Sequence, residues 1–168
     1  MKVLGIDPGT ATVGYGVVER PDAPGAAARL LECGVLRTAP REPLQQRLAV
    51  IHAGLRELIA RHHPDVLAVE DIFYAANVRT TVVLGHARGV ILLAGAQAGL
   101  SIAEYAPALV KKTVVGRGAA LKPQVGYMVA KLLKLREAPT PADAADAVAV
   151  ALTHLLTSFP RGNGRGRQ

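Results

Sequence analysis

Near its start the chain reads Lys2-Val-Leu-Gly-Ile-Asp-Pro-Gly-Thr10, an apolar run that ends in a carboxylate and a turn. Residues 3–6 predict a buried strand, and Asp7 stands at its end beside Gly9, which allows the backbone to turn tightly next to a ligand. An Asp in an Asp-Pro-Gly sequence also accepts hydrogen bonds from its own turn. Taken alone, the motif therefore leaves a structural role and a metal-binding role open.

The rest of the chain predicts three consecutive strands, followed by alternating helices and strands. The strands are expected at residues 3–6, 13–19, 30–38, 66–70 and 100–105. The helices are expected at residues 43–62, from after Asn77 to about Gln97, and from about Pro107, Pro123 and Pro141. A meander followed by such alternation predicts an α/β fold, a mixed five-stranded sheet with helices on both faces.

The charge of the chain favours a polyanionic partner. Its 20 Lys and Arg residues outnumber its 13 Asp and Glu residues, which gives a formal net charge of +7. Neutralising phosphates with such residues releases counterions, so nucleic acid is the favoured partner. Residues 1–158 are expected to form one domain, and the basic residues 159–168, rich in Gly and Arg, are expected to be a disordered tail.

Three features of the sequence predict a cytoplasmic protein. The single cysteine, Cys33, cannot form an internal disulfide, which fits a reducing compartment. The first apolar run ends at Asp7-Pro8 and does not read as a signal peptide. The longest apolar stretch, residues 89–99, is too short to span a bilayer, so no membrane association is expected.

Glu70 is the second acid in apolar surroundings. It ends the run Val66-Leu-Ala-Val69, although Glu is a poor strand former. The alternative is a solvated strand end, which is common. If the fourth strand lies beside the first, Glu70 comes to lie next to Asp7.

A further acidic pair, Asp143 and Asp146, stands in an alanine-rich helical segment. Thr140 as N-cap and Pro141 at the first helical position would give Asp143 an ordinary place in a first turn. That reading leaves Asp146 unexplained, because it lies one turn later on the same face. Two like charges on a closely packed alanine face repel each other unless a cation bridges them, so a divalent metal is predicted.

In combination these features resemble the RuvC family of Holliday-junction resolvases, members of the ribonuclease H-like nuclease superfamily. The resemblance covers residues 1 to about 156. It rests on Gly5-Ile-Asp-Pro-Gly-Thr10 with Gly14-Tyr-Gly-Val17, Ala68-Val-Glu-Asp-Ile-Phe73 with Asn77, residues 97–105, Val110-Lys-Lys-Thr-Val-Val-Gly116, Lys122, and Asp143-Ala-Ala-Asp-Ala147. Each motif is weak alone, but the complete set in this order is highly specific.

The resemblance implies that Asp7, Glu70, Asp143 and Asp146 are catalytic acids and metal ligands. Carboxylate oxygens suit Mg²⁺ or Mn²⁺, and two such ions about 4 Å apart promote in-line phosphodiester hydrolysis. In this hypothesis Asp7 bridges the ions. The enzyme is then an endonuclease that nicks two strands of a four-way junction symmetrically and leaves 5′-phosphates, in recombination and repair.

The resemblance also implies DNA contacts. Lys111 and Lys122 match family positions near the scissile phosphate, whereas Lys112, Arg117 and Arg79 have no such match and read more readily as solvated surface residues. Asn77 belongs to the second motif. Phe73 follows Glu70 closely, and we expect it to wedge between bases at the branch point, aided by Tyr74, although a core role is the usual fate of Phe.

A junction with two-fold symmetry suits a homodimer, and the apolar segment from about residue 80 to 97 is the candidate interface, with core packing as its alternative. The resemblance implies a branch-migration complex of the RuvA and RuvB type as a further partner. Two other functions are less favoured. The Asp-x-Gly-Thr turn also occurs in sugar-kinase and actin-like ATP-binding proteins, but these need a second large domain and further phosphate-binding glycine turns. A non-catalytic junction-binding module would retain the basic charge, but it gains nothing from four acids near a phosphate.

Overall fold

The computed structural model describes residues 1–9, 11–23, 26–71 and 78–158. Five strands and five helices lie within these ranges. They are β1 (Lys2–Asp7), β2 (Thr12–Glu19), β3 (Arg29–Arg37), α1 (Leu44–His62), β4 (Val66–Glu70), α2 (Val78–Gln97), β5 (Ser101–Tyr105), α3 (Pro107–Val115), α4 (Lys122–Leu133) and α5 (Ala142–Ser158). Phe73, Tyr74, Asn77 and the tail at 159–168, about which the sequence made predictions, lie outside the described residues.

The five strands form one mixed sheet in the order β3-β2-β1-β4-β5. The first three strands are the predicted antiparallel meander, and β4 and β5 continue the sheet in parallel with β1. The first strand is therefore central, and the fourth is its neighbour. The predicted fold class is confirmed.

Helices cover both faces of the sheet, because alternate residues of the buried strands face opposite cores. On one side Leu4 and Ile6 pack with residues of α1 and α2. On the other side Val3 packs with residues of α3, α4 and α5. Asp7 and Glu70 continue the alternation of their strands on the α5 side.

The alanine-rich helix α5 lies very close to β1 and β2. A Cβ at Gly5 would collide with the carbonyl oxygen of Ala147, and a Cβ at Gly14 would collide with that of Asp143. Glycine is thus required where the first turn and the middle of α5 cross the sheet. The close approach places the start of α5 over the end of β1.

The start of α5 differs slightly from the prediction. The helix begins at Ala142, and the Pro141 carbonyl accepts hydrogen bonds from the backbone N–H groups of Ala144 and Ala145. Pro141 therefore occupies the capping position predicted for Thr140, which lies one residue outside; the bond between these two residues is cis. Asp143 nevertheless lies in the first turn, where a carboxylate interacts favourably with the helix dipole.

No helix in the described part of the chain is both long enough and apolar enough to cross a membrane.

Candidate active site

Asp7 and Glu70 meet because their strands are neighbours in parallel. Ile6 of β1 lies opposite Val69 of β4, so the residues that end the two strands lie side by side. Their carboxyl groups share a hydrogen bond. Both side chains are partly buried at the C-terminal ends of these parallel strands, where ligands of α/β proteins gather.

Asp143 and Asp146 approach the same point from α5, which packs on one face of the sheet. The Gly14 contact fixes the first turn of α5 over the sheet, and both side chains face β1. Asp7, Asp143 and Asp146 each offer a carboxylate oxygen within 4.8 Å of the others. Glu70 is not part of this trio but adjoins it through Asp7.

Burial among like charges changes the acidity of this cluster. Desolvation, followed by the charges of Glu70 and Asp146, raises the pKa of Asp7 to about 8. Burial also raises the pKa of Glu70 above its usual range. These carboxylates resist ionising together because the chain supplies too little positive charge around them.

Lys122, the first residue of α4, is the nearby cation that contacts the cluster directly. Its Nζ lies 2.8 Å from Oδ2 of Asp146 and 3.6 Å from Oδ1 of Asp143. The hydrogen bond to Asp146 raises the pKa of Lys122, so the ammonium keeps its proton. Lys111 of α3 acts from further away, and its charge lowers the pKa of Glu70. Lys122 therefore contacts the acids directly, whereas Lys111 acts on Glu70 only through its charge.

The donor set fits a hard divalent cation. Carboxylate oxygens from β1 and α5 converge from two directions, and Glu70 adds a further carboxylate beside them. The ammonium of Lys122 lies close to both Asp143 and Asp146 and partly compensates their charge. Oxygen ligands of this kind suit Mg²⁺, Mn²⁺ or Ca²⁺.

The remaining predicted cations lie on the surface. Lys112, Arg117 and Arg79 are exposed, at the end of α3, just after it and at the start of α2, respectively. Of the single histidines, His52 contacts Gln97 and His86 contacts a carbonyl of its own helix. Cys33 packs against the apolar core as a small hydrophobic residue.

Arg88 is a neighbour of the site that the sequence reasoning missed. It reaches from α2 to Asp71, with Nη2 3.4 Å from Oδ1, and it also pairs with Glu104 of β5. Asp71 follows Glu70 directly, so Arg88 fixes the end of β4. The signal was present in the sequence, because Arg88 is the one charged residue among positions 80–103.

Tyr105 and His154 form a second contact that the sequence did not predict. Tyr105 pairs with Glu70 across the β4 and β5 strands, and its hydroxyl lies 2.7 Å from Nδ1 of His154 on α5. The two rings meet edge to face. This contact ties the end of β5 to the C-terminal half of α5.

Comparisons with known proteins agree with this geometry. Residues 3–154 match the family described as crossover junction endodeoxyribonuclease RuvC. The protein of that name from Pelotomaculum thermopropionicum is 49% identical over 154 residues, which cover 92% of each chain.

Solved structures give the same result. The Thermus thermophilus RuvC structure has a TM-score of 0.85 and 40% identity, covering 94% of this chain and 95% of that one. T. thermophilus RuvC in complex with Holliday junction substrate has a TM-score of 0.84 and 37% identity, with the same coverage. The fold is the ribonuclease H-like arrangement predicted from the sequence, and the chain belongs to the RuvC family.

Proposed function

We propose that this protein is a crossover junction endodeoxyribonuclease that resolves Holliday junctions. It hydrolyses one phosphodiester bond in each of two symmetric strands and leaves 5′-phosphates, in recombination and repair. One observation carries the proposal. Asp7, Asp143 and Asp146 each place a carboxylate oxygen within 4.8 Å of the others at the end of a central strand, and Glu70 lies beside Asp7.

Asp7, Glu70, Asp143 and Asp146 are the proposed metal ligands and catalytic acids. Asp7 lies between Glu70 on one side and the α5 acids on the other, so its carboxylate can serve both sides of the cluster. Two Mg²⁺ or Mn²⁺ ions bound there would activate a water molecule and stabilise the leaving oxygen. Carboxylates without bound metal repel a phosphate, so the acids would position the scissile strand only through the ions that they hold.

Lys122 and Lys111 supply the positive charge that the DNA strand needs on approach. Lys122 keeps its proton through its bond to Asp146, and it is exposed enough to turn toward a phosphate. Lys111 lies on the Glu70 side. Phe73, Tyr74 and Asn77 follow Glu70 in the chain, and we assign them contacts with bases at the branch point.

We further propose that the protein is a homodimer joined through α2. One side of this helix carries a stripe of exposed small and apolar residues, Val82, Gly85, Gly89 and Leu93. A Cβ at Gly85 or Gly89 would meet nothing within 4 Å, so a second helix can approach closely there. Self-association through this stripe would create two identical sites, as the two-fold symmetry of the junction requires.

The remaining assignments follow from membership of the family. The nuclease domain spans residues 1–158 and is followed by the basic tail at 159–168. A branch-migration complex of the RuvA and RuvB type is the proposed partner. The cytoplasm is the proposed location, consistent with a single cysteine and with a DNA substrate.

Cleavage of a four-way junction with each arm end-labelled in turn tests the function. We expect paired nicks at symmetric positions that require Mg²⁺ or Mn²⁺ and are absent from a linear duplex of the same sequence. Tight junction binding with no nicking in either metal would identify a binding module instead. ATP binding measured by calorimetry, without junction binding, would favour the ATP-binding alternative.

A further inference from the structure

A basic groove runs along the outer side of α4, away from the acid cluster. Its volume is about 560 Å³, and it lies between α4 and the segment that connects α4 to α5. The cationic residues that line it are Lys131, Lys134 and Arg136, against the single acid Glu137. The groove therefore carries a local excess of two positive charges.

The cations of the groove are available to an external partner. Lys131, Lys134 and Arg136 are all exposed. None of them takes part in the ion pairs that the described residues form with one another. Exposed cations that are not engaged in an ion pair remain available to a phosphate.

An aromatic ring also lines the groove. Tyr127 is 57% exposed, and Nζ of Lys131, one turn along the helix, lies 5.1 Å from the centre of its ring. The ring restricts where this ammonium can point and offers a flat apolar surface beside it. Lys and Tyr side chains are among those that contact the phosphates and sugars of bound DNA.

Both walls of the groove belong to elements whose other ends lie at the acid cluster. One wall is α4, whose first residue, Lys122, contacts Asp146. The other wall is the connecting segment, which ends at α5, where Asp143 lies in the first turn. Lys131 is nine residues after Lys122, so it lies about 14 Å further along the axis of α4 and on the opposite side of the helix.

We propose that this groove holds the sugar-phosphate backbone of a duplex arm of the junction, outside the acid cluster where the strand is cut. The inference rests on the proposed function, since it takes the acid cluster as the cutting site. The groove contributes affinity and direction to the arm and leaves the chemistry at the acids unchanged. The contacts are to phosphates, so they carry no sequence preference.

The test compares two double variants with the same loss of charge. Lys131→Gln/Lys134→Gln removes groove cations, and Arg41→Gln/Arg56→Gln removes exposed cations before and within α1, on the other face of the sheet. Junction affinity is measured from 50 to 200 mM salt, together with the rate of cutting at saturating enzyme. Lys131→Arg/Lys134→Arg serves as the conservative variant, and thermal melts confirm that each protein is folded.

We expect the groove variant to bind about tenfold more weakly at low salt, with the slope of log affinity against log salt reduced by about 2, one unit per phosphate contact. The control variant and the conservative variant should keep the wild-type slope. Cutting of bound junction should be unchanged. An unchanged slope in the groove variant, or an equal reduction in both Gln variants, would overturn the proposal.

DNA in which a few phosphates are made neutral gives an independent test of where the groove contacts the arm. Four consecutive methylphosphonates are moved along one arm, and wild-type affinity should fall most at one position that does not include the phosphate that is cut. The groove variant should not lose affinity there a second time, whereas additive losses at every position would contradict the inference. Failure of the wild-type protein to cut any junction would instead refute the proposed function.

Discussion

Two charged clusters on opposite faces of the sheet use carboxylates in opposite ways. On the α1 side a single acid, Glu32, accepts a hydrogen bond from the Tyr15 hydroxyl at 2.9 Å, pairs with Arg61 at 3.0 Å and lies 2.6 Å from Nε2 of His62. On the α5 side several acids share the direct contact of one lysine. The first cluster has more donors than acids, and the second has more acids than cations.

The pKa values report this difference. Burial alone would raise the pKa of Glu32, but hydrogen bonds from His62, Tyr15 and Arg61 bring it below the usual range. Burial and the neighbouring acids raise the pKa of Asp7 to about 8. A cluster whose charges are balanced within the chain is structural, whereas one that is left unbalanced needs a cation from outside.

The largest expected effect comes from Asp7→Asn. The substitution keeps the shape of the side chain but removes the central charge, so cutting of bound junction should fall by ~10³-fold or more. Junction affinity should stay the same or rise, because one repulsion of phosphate is lost. Single-turnover cutting and equilibrium binding measure the two effects; wild-type cutting by this variant would eliminate Asp7 as a catalytic acid.

The next effect concerns the placement of α5. Gly14→Ala would force the added methyl group against the Asp143 carbonyl, so the first turn of α5 must shift. A misplacement of about 1 Å at the acids should slow cutting by about 10²-fold.

Gly54→Ala is the matched control, because its methyl group meets the movable end of the Leu36 side chain on the other face of the sheet. It should cut at the wild-type rate. Equal rates for the two alanine variants would show that close packing of α5 does not position the acids.

A third prediction concerns stability and pH without divalent metal. The Asp7 carboxyl has a pKa near 4 in the unfolded chain and about 8 in the folded one. Between these values the folded state retains a proton that the unfolded state has released. The contribution of Asp7 to the free energy of unfolding should therefore be greatest below about pH 4 and fall by a few kcal/mol as pH rises toward 8.

Urea unfolding at several pH values measures this trend. Asp7→Asn should flatten it, and saturating Mg²⁺ should offset the loss at high pH because the metal binds the ionised acids of the folded state. Identical pH dependence in the wild type and Asp7→Asn, without metal, would show that the acids are not strained by their neighbours.

The smallest effect is expected at the balanced cluster. Glu32→Gln should lower the free energy of unfolding by about 1 kcal/mol, since the contacts are partly exposed, and should leave cutting unchanged. Its pH dependence has the opposite sign to that of Asp7. The Glu32 pKa is lowered on folding, so its contribution is present above the unfolded pKa and is lost as pH falls through the folded pKa. Slow cutting by this variant would show that the Glu32 cluster also affects catalysis.

The sequence predicted one cluster and not the other, for a physical reason. Asp7 and Glu70 end apolar runs, so the alternation of their strands indicates both their location and their face. Glu32 and His62 lie 30 residues apart and meet through their side chains, a contact that produces no periodic pattern in the sequence. Lys122 was predicted as a DNA contact, and its bond to Asp146 became visible only in the structure.

The direct test of an unbalanced acid cluster is Mn²⁺ binding to the protein, followed by electron paramagnetic resonance as the metal is titrated. We predict that the wild-type protein and Glu32→Gln bind Mn²⁺ equally, whereas Asp7→Asn binds it much more weakly. Equal binding by all three proteins, or none by the wild type at concentrations that support cutting, would contradict the account.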